Sequence, residues 1–325
     1  MGQAEIATGT LRVATGDSGV TLFVRNKVRR DVAAFTPERT LLFVHGATYP
    51  ASTSFDLALD GVSWMDYIAS RGYDVYLMDL RGYGSSTRPP EMAAPAADNP
   101  PVVRGVTAIA DIGRVVEAIT RRRGVDSLCL LGWSWGTTLT GAYAASFPDH
   151  VHRLALYAPL WVKREAAGAR SIVPDAGGLP AWRGTRREEA YARWVAGVPE
   201  EALPTLIPPG WFDAWADATF ATDPDGMAMD PPVLRAPNGV LQDVRESYFA
   251  GRPYFDPSRI TAPTLLAVGA WDADTPPAMA EDMFRQLSPS PHHQLVIFDE
   301  GSHTMMMERN RLQLFETVQA FLDRG

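Results

Sequence analysis

The sequence feature that most constrains this chain is the segment Gly132-Trp133-Ser134-Trp135-Gly136, which stands between an apolar run and a helical pattern. Residues 128–131 form a short apolar run typical of a buried strand, and small and apolar residues recur at helical spacing over 139–147. The pattern predicts a strand, a sharp turn and a helix, with Ser134 at the apex. Glycines two residues before and after the serine leave room where strand passes into helix. Ser134 is therefore the predicted nucleophile; the alternative is an ordinary loop serine between two glycines.

The overall composition is that of a globular protein, because 46% of the 325 residues are hydrophobic and 21% are charged. A net charge of −8 argues against nucleic acid or an anionic membrane as a partner. The single cysteine, Cys129, excludes an intrachain disulfide. No apolar run approaches ~18 residues, and the first ten residues lack a signal-peptide pattern. We therefore expect a cytoplasmic protein with no membrane partner.

Apolar runs and helical patterns alternate along the chain. Runs typical of buried strands lie at 40–44, 73–80, 153–158, 263–269 and 294–298, and a helical pattern covers 106–123. Two alternating segments, 11–14 and 20–25, are joined by a glycine-rich turn and predict a β-hairpin near the N-terminus. We predict an α/β fold with a doubly wound, mostly parallel sheet.

One connection is much longer than the others. About a hundred residues separate the strand ending at 158 from the one beginning at 263, whereas a crossover needs only ~12 or somewhat more. Three segments in this gap have helical character, at 186–196, 211–221 and 241–250. We interpret residues 160–256 as an inserted helical cap, so that 1–159 and 257–325 form the two parts of the core.

A serine nucleophile needs a base, and the base needs a carboxylate that orients it. Of six histidines, His303 follows the last predicted strand on a glycine loop, which in a parallel sheet places it at the same edge as Ser134. The loop after 263–269 offers two acids. We favour Asp272 as the orienting acid and keep Asp274 as the alternative, and either carboxylate could instead cap a turn.

The oxyanion that forms when serine attacks a carbonyl needs hydrogen-bond donors. We predict the N–H of Trp135, directly after the nucleophile, and the N–H of Ala47, in the loop after the strand at 40–44. Six aromatic residues near these positions or on a predicted cap helix are predicted to bind substrate: Tyr49, Trp133, Trp161, Trp211, Trp215 and Trp271. Their apolar surfaces favour a hydrophobic acyl or aromatic substrate. Trp211 and Trp215 share one helix face, which could equally pack on the core.

Taken together, these motifs resemble the α/β-hydrolase superfamily. The matching features are His45-Gly46 before Ala47, Asp79-x-Arg81-Gly82-x-Gly84-x-Ser86, Gly132-x-Ser134-x-Gly136, Gly269-x-x-Asp272-x-x-x-Pro276 and Gly301-x-His303. The resemblance implies an α/β-hydrolase fold with a cap and a triad in the order Ser, Asp, His. Serine at position 134 argues against haloalkane dehalogenases and epoxide hydrolases, which use aspartate there. The resemblance leaves the substrate open.

The predicted function is hydrolysis of a carboxylic ester, or of a related lactone or amide, through an acyl-enzyme. The expected substrate is a small molecule, no cofactor or metal is expected, and no oligomeric state is predicted. One alternative is an aminopeptidase, because Ser134-Trp135-Gly136 is similar to proline iminopeptidases. Their cap supplies acids for the substrate's amino terminus, which Glu188, Glu189 or Glu246 could provide; their H-G-G-P-G stretch, however, is absent here. The other alternative is a ligand-binding protein with negligible turnover.

Overall fold

The computed structural model of the chain describes residues 5–162, 177–290 and 292–324. The strands are β1 (Ile6–Ala14), β2 (Thr21–Arg29), β3 (Thr40–Val44), β4 (Asp74–Asp79), β5 (Leu128–Trp133), β6 (Val151–Tyr157), β7 (Trp182–Thr185), β8 (Leu234–Pro237), β9 (Thr264–Gly269) and β10 (Gln294–Phe298). The α-helices are α1 (Ala51–Ser54), α2 (Trp64–Ala69), α3 (Gly105–Arg123), α4 (Trp135–Ser146), α5 (Arg187–Trp194), α6 (Leu203–Leu206), α7 (Trp211–Phe220), α8 (Pro224–Met227), α9 (Gly239–Glu246), α10 (Pro277–Gln286) and α11 (Arg311–Leu322).

Eight strands form one sheet, in the order β1-β2-β4-β3-β5-β6-β9-β10. β2 is antiparallel to both β1 and β4, and the other neighbouring pairs are parallel. This architecture confirms the predicted α/β fold and the N-terminal hairpin. The parallel strands place the loops that follow β3, β5 and β9 at one edge of the sheet.

The continuous apolar runs of the sequence form the central strands of the sheet. Every residue of β3, β4 and β5 is buried, as expected for parallel strands covered by helices on both faces. α3 covers one face with Ile112, Val115 and Ile119, and it ends at Gly124, whose φ of 67° is the left-handed conformation common after helices. The core thus fixes the strand ends that carry the candidate site.

The two glycines around Ser134 are required by close packing of the backbone. A Cβ added to Gly132 would lie 2.4 Å from the carbonyl oxygen of Gly136. A Cβ added to Gly136 would lie 2.4 Å from the carbonyl oxygen of Val44 in β3. Neither neighbour is a flexible side chain, so the backbone would have to move.

We expect Gly136→Ala to destabilise the protein by about 1–3 kcal/mol, because the added methyl group overpacks the junction of α4 and β3. Urea unfolding measures this loss. Gly9→Ala is the matched control, since no heavy atom lies within 4 Å of the Cβ position at Gly9. Equal free energies of unfolding for the two variants would contradict the packing account.

The long connection between β6 and β9 contains helices close to the predicted ones, namely α5, α7 and α9. It also contains an antiparallel two-stranded sheet, β7 with β8, which the sequence did not predict. Residues 163–176 of the predicted cap lie outside the described part. In the described ranges, no helix is long and apolar enough to cross a membrane.

Candidate active site

Ser134 stands in the turn between β5 and α4. Its φ of 56° and ψ of −121° place a residue that is not glycine in a rarely populated region. Its N–H donates to the carbonyl of Tyr157 in β6 at 3.0 Å, which holds the turn against the sheet. The sharp turn predicted from Gly132-x-Ser134-x-Gly136 is therefore present, and the strained conformation is the one that lifts a serine hydroxyl off the sheet edge.

His303 and Asp272 are joined by a hydrogen bond. Nδ1 of His303 lies 2.9 Å from Oδ2 and 3.0 Å from Oδ1 of Asp272, and both residues are buried. The carboxylate also accepts bonds from the Thr275 N–H and hydroxyl, each at 2.8 Å, and from the Asp274 N–H at 3.0 Å. These donors fix the carboxylate, which in turn fixes the imidazole ring.

The loop that carries His303 is hydrogen-bonded to the last residues of β5 and β6. The indole N–H of Trp133 and the hydroxyl of Tyr157 both donate to the His303 carbonyl at 3.0 Å. Nε2 of His303 is buried, and within the described chain it has no hydrogen-bond partner, the Ser134 hydroxyl included. Catalytic hydrogen bonds of this kind often shorten only when a substrate is bound.

Ala47 and Trp135 lie beside Ser134 on the wall of one cavity. The loop after β3 can approach because residue 46 is glycine: a Cβ there would lie 2.7 Å from Cβ of Ser134. The N–H groups of Ala47 and Trp135 have no acceptor in the described ranges. Two free backbone donors next to a serine hydroxyl are the arrangement that an oxyanion requires.

Asp274, the alternative acid, does not bond to Nδ1 of His303. It forms an ion pair with Arg193 of α5, and its Oδ2 lies 4.0 Å from Nε2 of His303. The two acids therefore lie on opposite sides of the imidazole ring. The geometry favours Asp272 for orienting the ring.

The cavity is lined by residues from two parts of the chain. The core contributes Ala47, Ser134, Trp135, Asp274, Thr275 and Met279. The segment 160–256 contributes Leu160, Trp161, Arg193, Val240, Val244, Tyr248 and Phe249. Apart from Arg193, this second set is apolar except for the Tyr248 hydroxyl and the Trp161 indole N–H, so this side of the cavity is mainly hydrophobic.

The six predicted substrate-binding aromatics are divided among different places. Trp161 lines this cavity, whereas Tyr49 and Trp215 line a smaller one that includes His303 and Arg193. The other three line neither cavity. Trp133 packs against the His303 ring, and Cζ of Arg311 lies 4.2 Å from the centre of the Trp211 ring. The backbone N–H of Trp271 donates to the Gly301 carbonyl at 3.1 Å.

Most of the residues that the segment 160–256 contributes to the cavity were not predicted from the sequence. Val240 and Val244 are one helical turn apart on α9, and Tyr248 follows it, but this spacing is that of any amphipathic helix. The sequence carries no signal for Arg193 either, because one arginine on a helix is usually exposed. Only tertiary packing brings these residues to Ser134.

The glutamates proposed for an aminopeptidase lie away from the cavity. Glu188 and Glu189 pair with Arg186 on the surface, and Glu246 pairs with Arg104. His45 is buried and accepts from the Leu80 N–H at 2.9 Å, and burial lowers its pKa to about 4. It is therefore a neutral structural histidine.

Glu308 is a buried carboxyl behind the His303 loop. It accepts hydrogen bonds from the Ser302 N–H at 3.2 Å and from the Ser302 hydroxyl. Burial raises the pKa of Glu308 to about 7, and the bonds from Ser302 oppose that rise. The residue next to the candidate base is thus held by a group that titrates near neutral pH.

We expect this carboxyl to make stability fall as pH rises. Its folded-state pKa of about 7 exceeds the ordinary value of 4.5, so between these values the folded chain holds a proton that the unfolded chain releases. The loss across this window is roughly 3 kcal/mol. Urea unfolding from pH 4.5 to 8 should show that Glu308→Gln removes this component. The exposed Glu300→Gln variant is the control, and identical pH dependence of parent and Glu308→Gln would refute the assignment.

Comparison with known proteins identifies the fold. The family model described as alpha/beta hydrolase fold matches residues 39–310. No curated protein matches the chain. A hydrolase from Pseudomonas aeruginosa PA01 is 19% identical with a TM-score of 0.65, and the match covers 97% of this chain and 99% of that one.

Two solved esterases are also similar. The esterase from Exiguobacterium antarcticum is 17% identical with a TM-score of 0.61, covering 97% of this chain and 100% of that one. A thermophilic esterase from Thermogutta terrifontis is 18% identical with a TM-score of 0.54, covering 97% and 98%. At these identities the likeness shows the fold alone.

Proposed function

This chain belongs to the alpha/beta hydrolase family, and on that basis we propose that it is a serine hydrolase that cleaves a carboxylic ester, or a related lactone or amide, through an acyl-enzyme. The observation that carries the proposal is the buried hydrogen bond between His303 Nδ1 and Asp272, at the sheet edge where Ser134 turns out of β5. This bond leaves Nε2 of the imidazole as the nitrogen that can receive a proton.

In the proposed mechanism, the Ser134 hydroxyl attacks the scissile carbonyl while Nε2 of His303 takes its proton. Asp272 holds the Nδ1–H and stabilises the imidazolium. The N–H groups of Ala47 and Trp135 donate to the oxyanion. His303 then gives its proton to the leaving oxygen or nitrogen, and an acyl-Ser134 ester remains. Water deprotonated by His303 attacks that ester and returns the free serine and a carboxylic acid.

The mainly apolar inserted wall supports a substrate with a hydrophobic or aromatic group, which would pack against Trp161 and α9. We also propose that residues 160–256 act as a cap over this cavity and that the protein works in the cytoplasm. An aminopeptidase ranks second, because the three candidate glutamates lie on the surface and leave Asp274 as the acid in the cavity.

A turnover assay tests the proposal. We expect a fluorophosphonate probe to label Ser134 stoichiometrically, and a panel of neutral p-nitrophenyl esters, lactones and aminoacyl-arylamides to show steady hydrolysis of at least one ester or lactone. Labelling with a single burst of product and no turnover would support the ligand-binding alternative. Hydrolysis confined to aminoacyl-arylamides would move the assignment to an aminopeptidase.

A further inference from the structure

Two arginines of the inserted segment converge on the loop that carries Ala47. Nη2 of Arg183 donates to the hydroxyl of Thr48 at 2.7 Å, and Nη1 of Arg193 donates to the same oxygen at 3.3 Å. The two guanidinium groups are therefore separated by a single hydroxyl. Burial lowers the pKa of Arg183, and the nearby charge of Arg193 also lowers it. Two like charges have been brought together directly behind the candidate oxyanion loop.

The described chain supplies one carboxylate that bonds to these two cations. Asp274 accepts from Nε of Arg193. The other partners of Arg183 are neutral, the Pro237 carbonyl at 2.8 Å and the Asn238 amide oxygen at 3.1 Å. Asp272 lies beyond the imidazole ring and is engaged with Nδ1 of His303. Both arginines are half-buried, so an anion that bound here would compensate a net positive charge.

Arg193 also has N–H donors that no described residue accepts from. A guanidinium carries five N–H donors, and here Nε–H goes to Asp274 and one Nη1 hydrogen goes to Thr48. Nη2 has no acceptor among the described residues. Arg193 lines the same cavity as Ser134, and it also lines the smaller cavity that includes Tyr49 and His303.

We infer that Arg193 forms a carboxylate-binding subsite, so that the substrate is an ester whose short acyl chain ends in a carboxylate. Arg193 pairs with Asp274, whose Oδ2 is only 4.0 Å from Nε2 of His303, so a short chain reaches from the scissile carbonyl to the guanidinium. The apolar group of the alcohol packs against Val240 and Val244. Planar guanidinium groups bind carboxylates well. This inference rests on the proposed function and deepens it.

Three benzyl esters of similar shape test the subsite. Benzyl hydrogen glutarate carries a terminal carboxylate, benzyl pentanoate has a methyl group in its place, and benzyl 4-(trimethylammonio)butanoate carries a permanent cation. We expect the parent to hydrolyse the glutarate ester with a kcat/KM about 10- to 100-fold above that of the pentanoate ester, as a hydrogen bond to a charged group allows. Release of benzyl alcohol is measured by chromatography.

The variant Arg193→Gln should lose that preference: kcat/KM for the glutarate ester should fall about 10- to 100-fold more than that for the pentanoate ester, so that the ratio of the two approaches one. Arg186→Gln is the matched control, because it removes the same charge from an exposed position beside α5. Labelling of Ser134 by a small fluorophosphonate verifies that each variant is folded. If Arg193→Gln does not fold, Arg193→Lys replaces it, and it should show a reduced glutarate preference.

The outcomes separate this inference from the proposed function. Three results would overturn the subsite while ester hydrolysis stands. They are equal rates for the anionic and neutral esters in the parent, a preference of the parent for the cationic ester, and an unchanged glutarate preference in the Arg193 variant. If Ser134 is not labelled and no ester is turned over, the proposed function itself fails.

Discussion

Replacing Ser134 by alanine is expected to abolish hydrolysis, with kcat falling by a factor on the order of 10⁶. The substitution removes the hydroxyl that the proposed mechanism acylates and leaves the backbone, His303 and Asp272 in place. Because the loss is chemical, the thermal midpoint of unfolding should stay close to that of the parent. Rates are measured on the best ester from the substrate panel.

Ser146→Ala is the matched control for this change. Ser146 is the exposed last residue of α4, at the opposite end of the helix from Ser134, so its variant should keep the parent's rate. Activity of Ser134→Ala within tenfold of the parent would rule out the proposed mechanism.

Asp272→Asn should lower kcat by ~10⁴, because an amide in this position favours the wrong tautomer of the imidazole. Asp272 accepts from Nδ1 of His303 and is fixed by three further donors, from Asp274 and Thr275. Asp274→Asn is the matched comparison. It also replaces a carboxylate oxygen by an amide nitrogen, but on the other side of the His303 imidazole ring. We expect Asp274→Asn to cost far less, and the reverse ranking would transfer the orienting role to Asp274.

The sheet was predictable from the sequence because parallel strands buried on both faces leave long apolar runs. The runs at 40–44 and 294–298 coincide with β3 and β10. The small sheet of β7 and β8 was not predictable, because each strand has four residues and pairs with a partner about fifty positions away. Nothing in either segment indicates its partner.

The bonded pair in the site was predictable because the loops after parallel strands meet at one edge. His303 and Asp272 were both found by that rule, and they are hydrogen-bonded in the structure. The pocket walls were much harder to predict. Trp133 is adjacent to Ser134 in sequence, yet it packs beneath His303, because neighbouring residues at a strand end point in different directions. Arg193 reaches the cavity only through the packing of α5 on the core.

Direct detection of the acyl-enzyme tests the central claim most sharply. The protein is mixed with an excess of its best ester, quenched in acid within the first turnover, digested and examined by mass spectrometry. The account predicts that the peptide containing Ser134 gains the mass of the acyl group, that this adduct decays as the acid product accumulates, and that Ser134→Ala shows no adduct. Steady turnover of the ester with no acyl group on Ser134 at any quench time would contradict it.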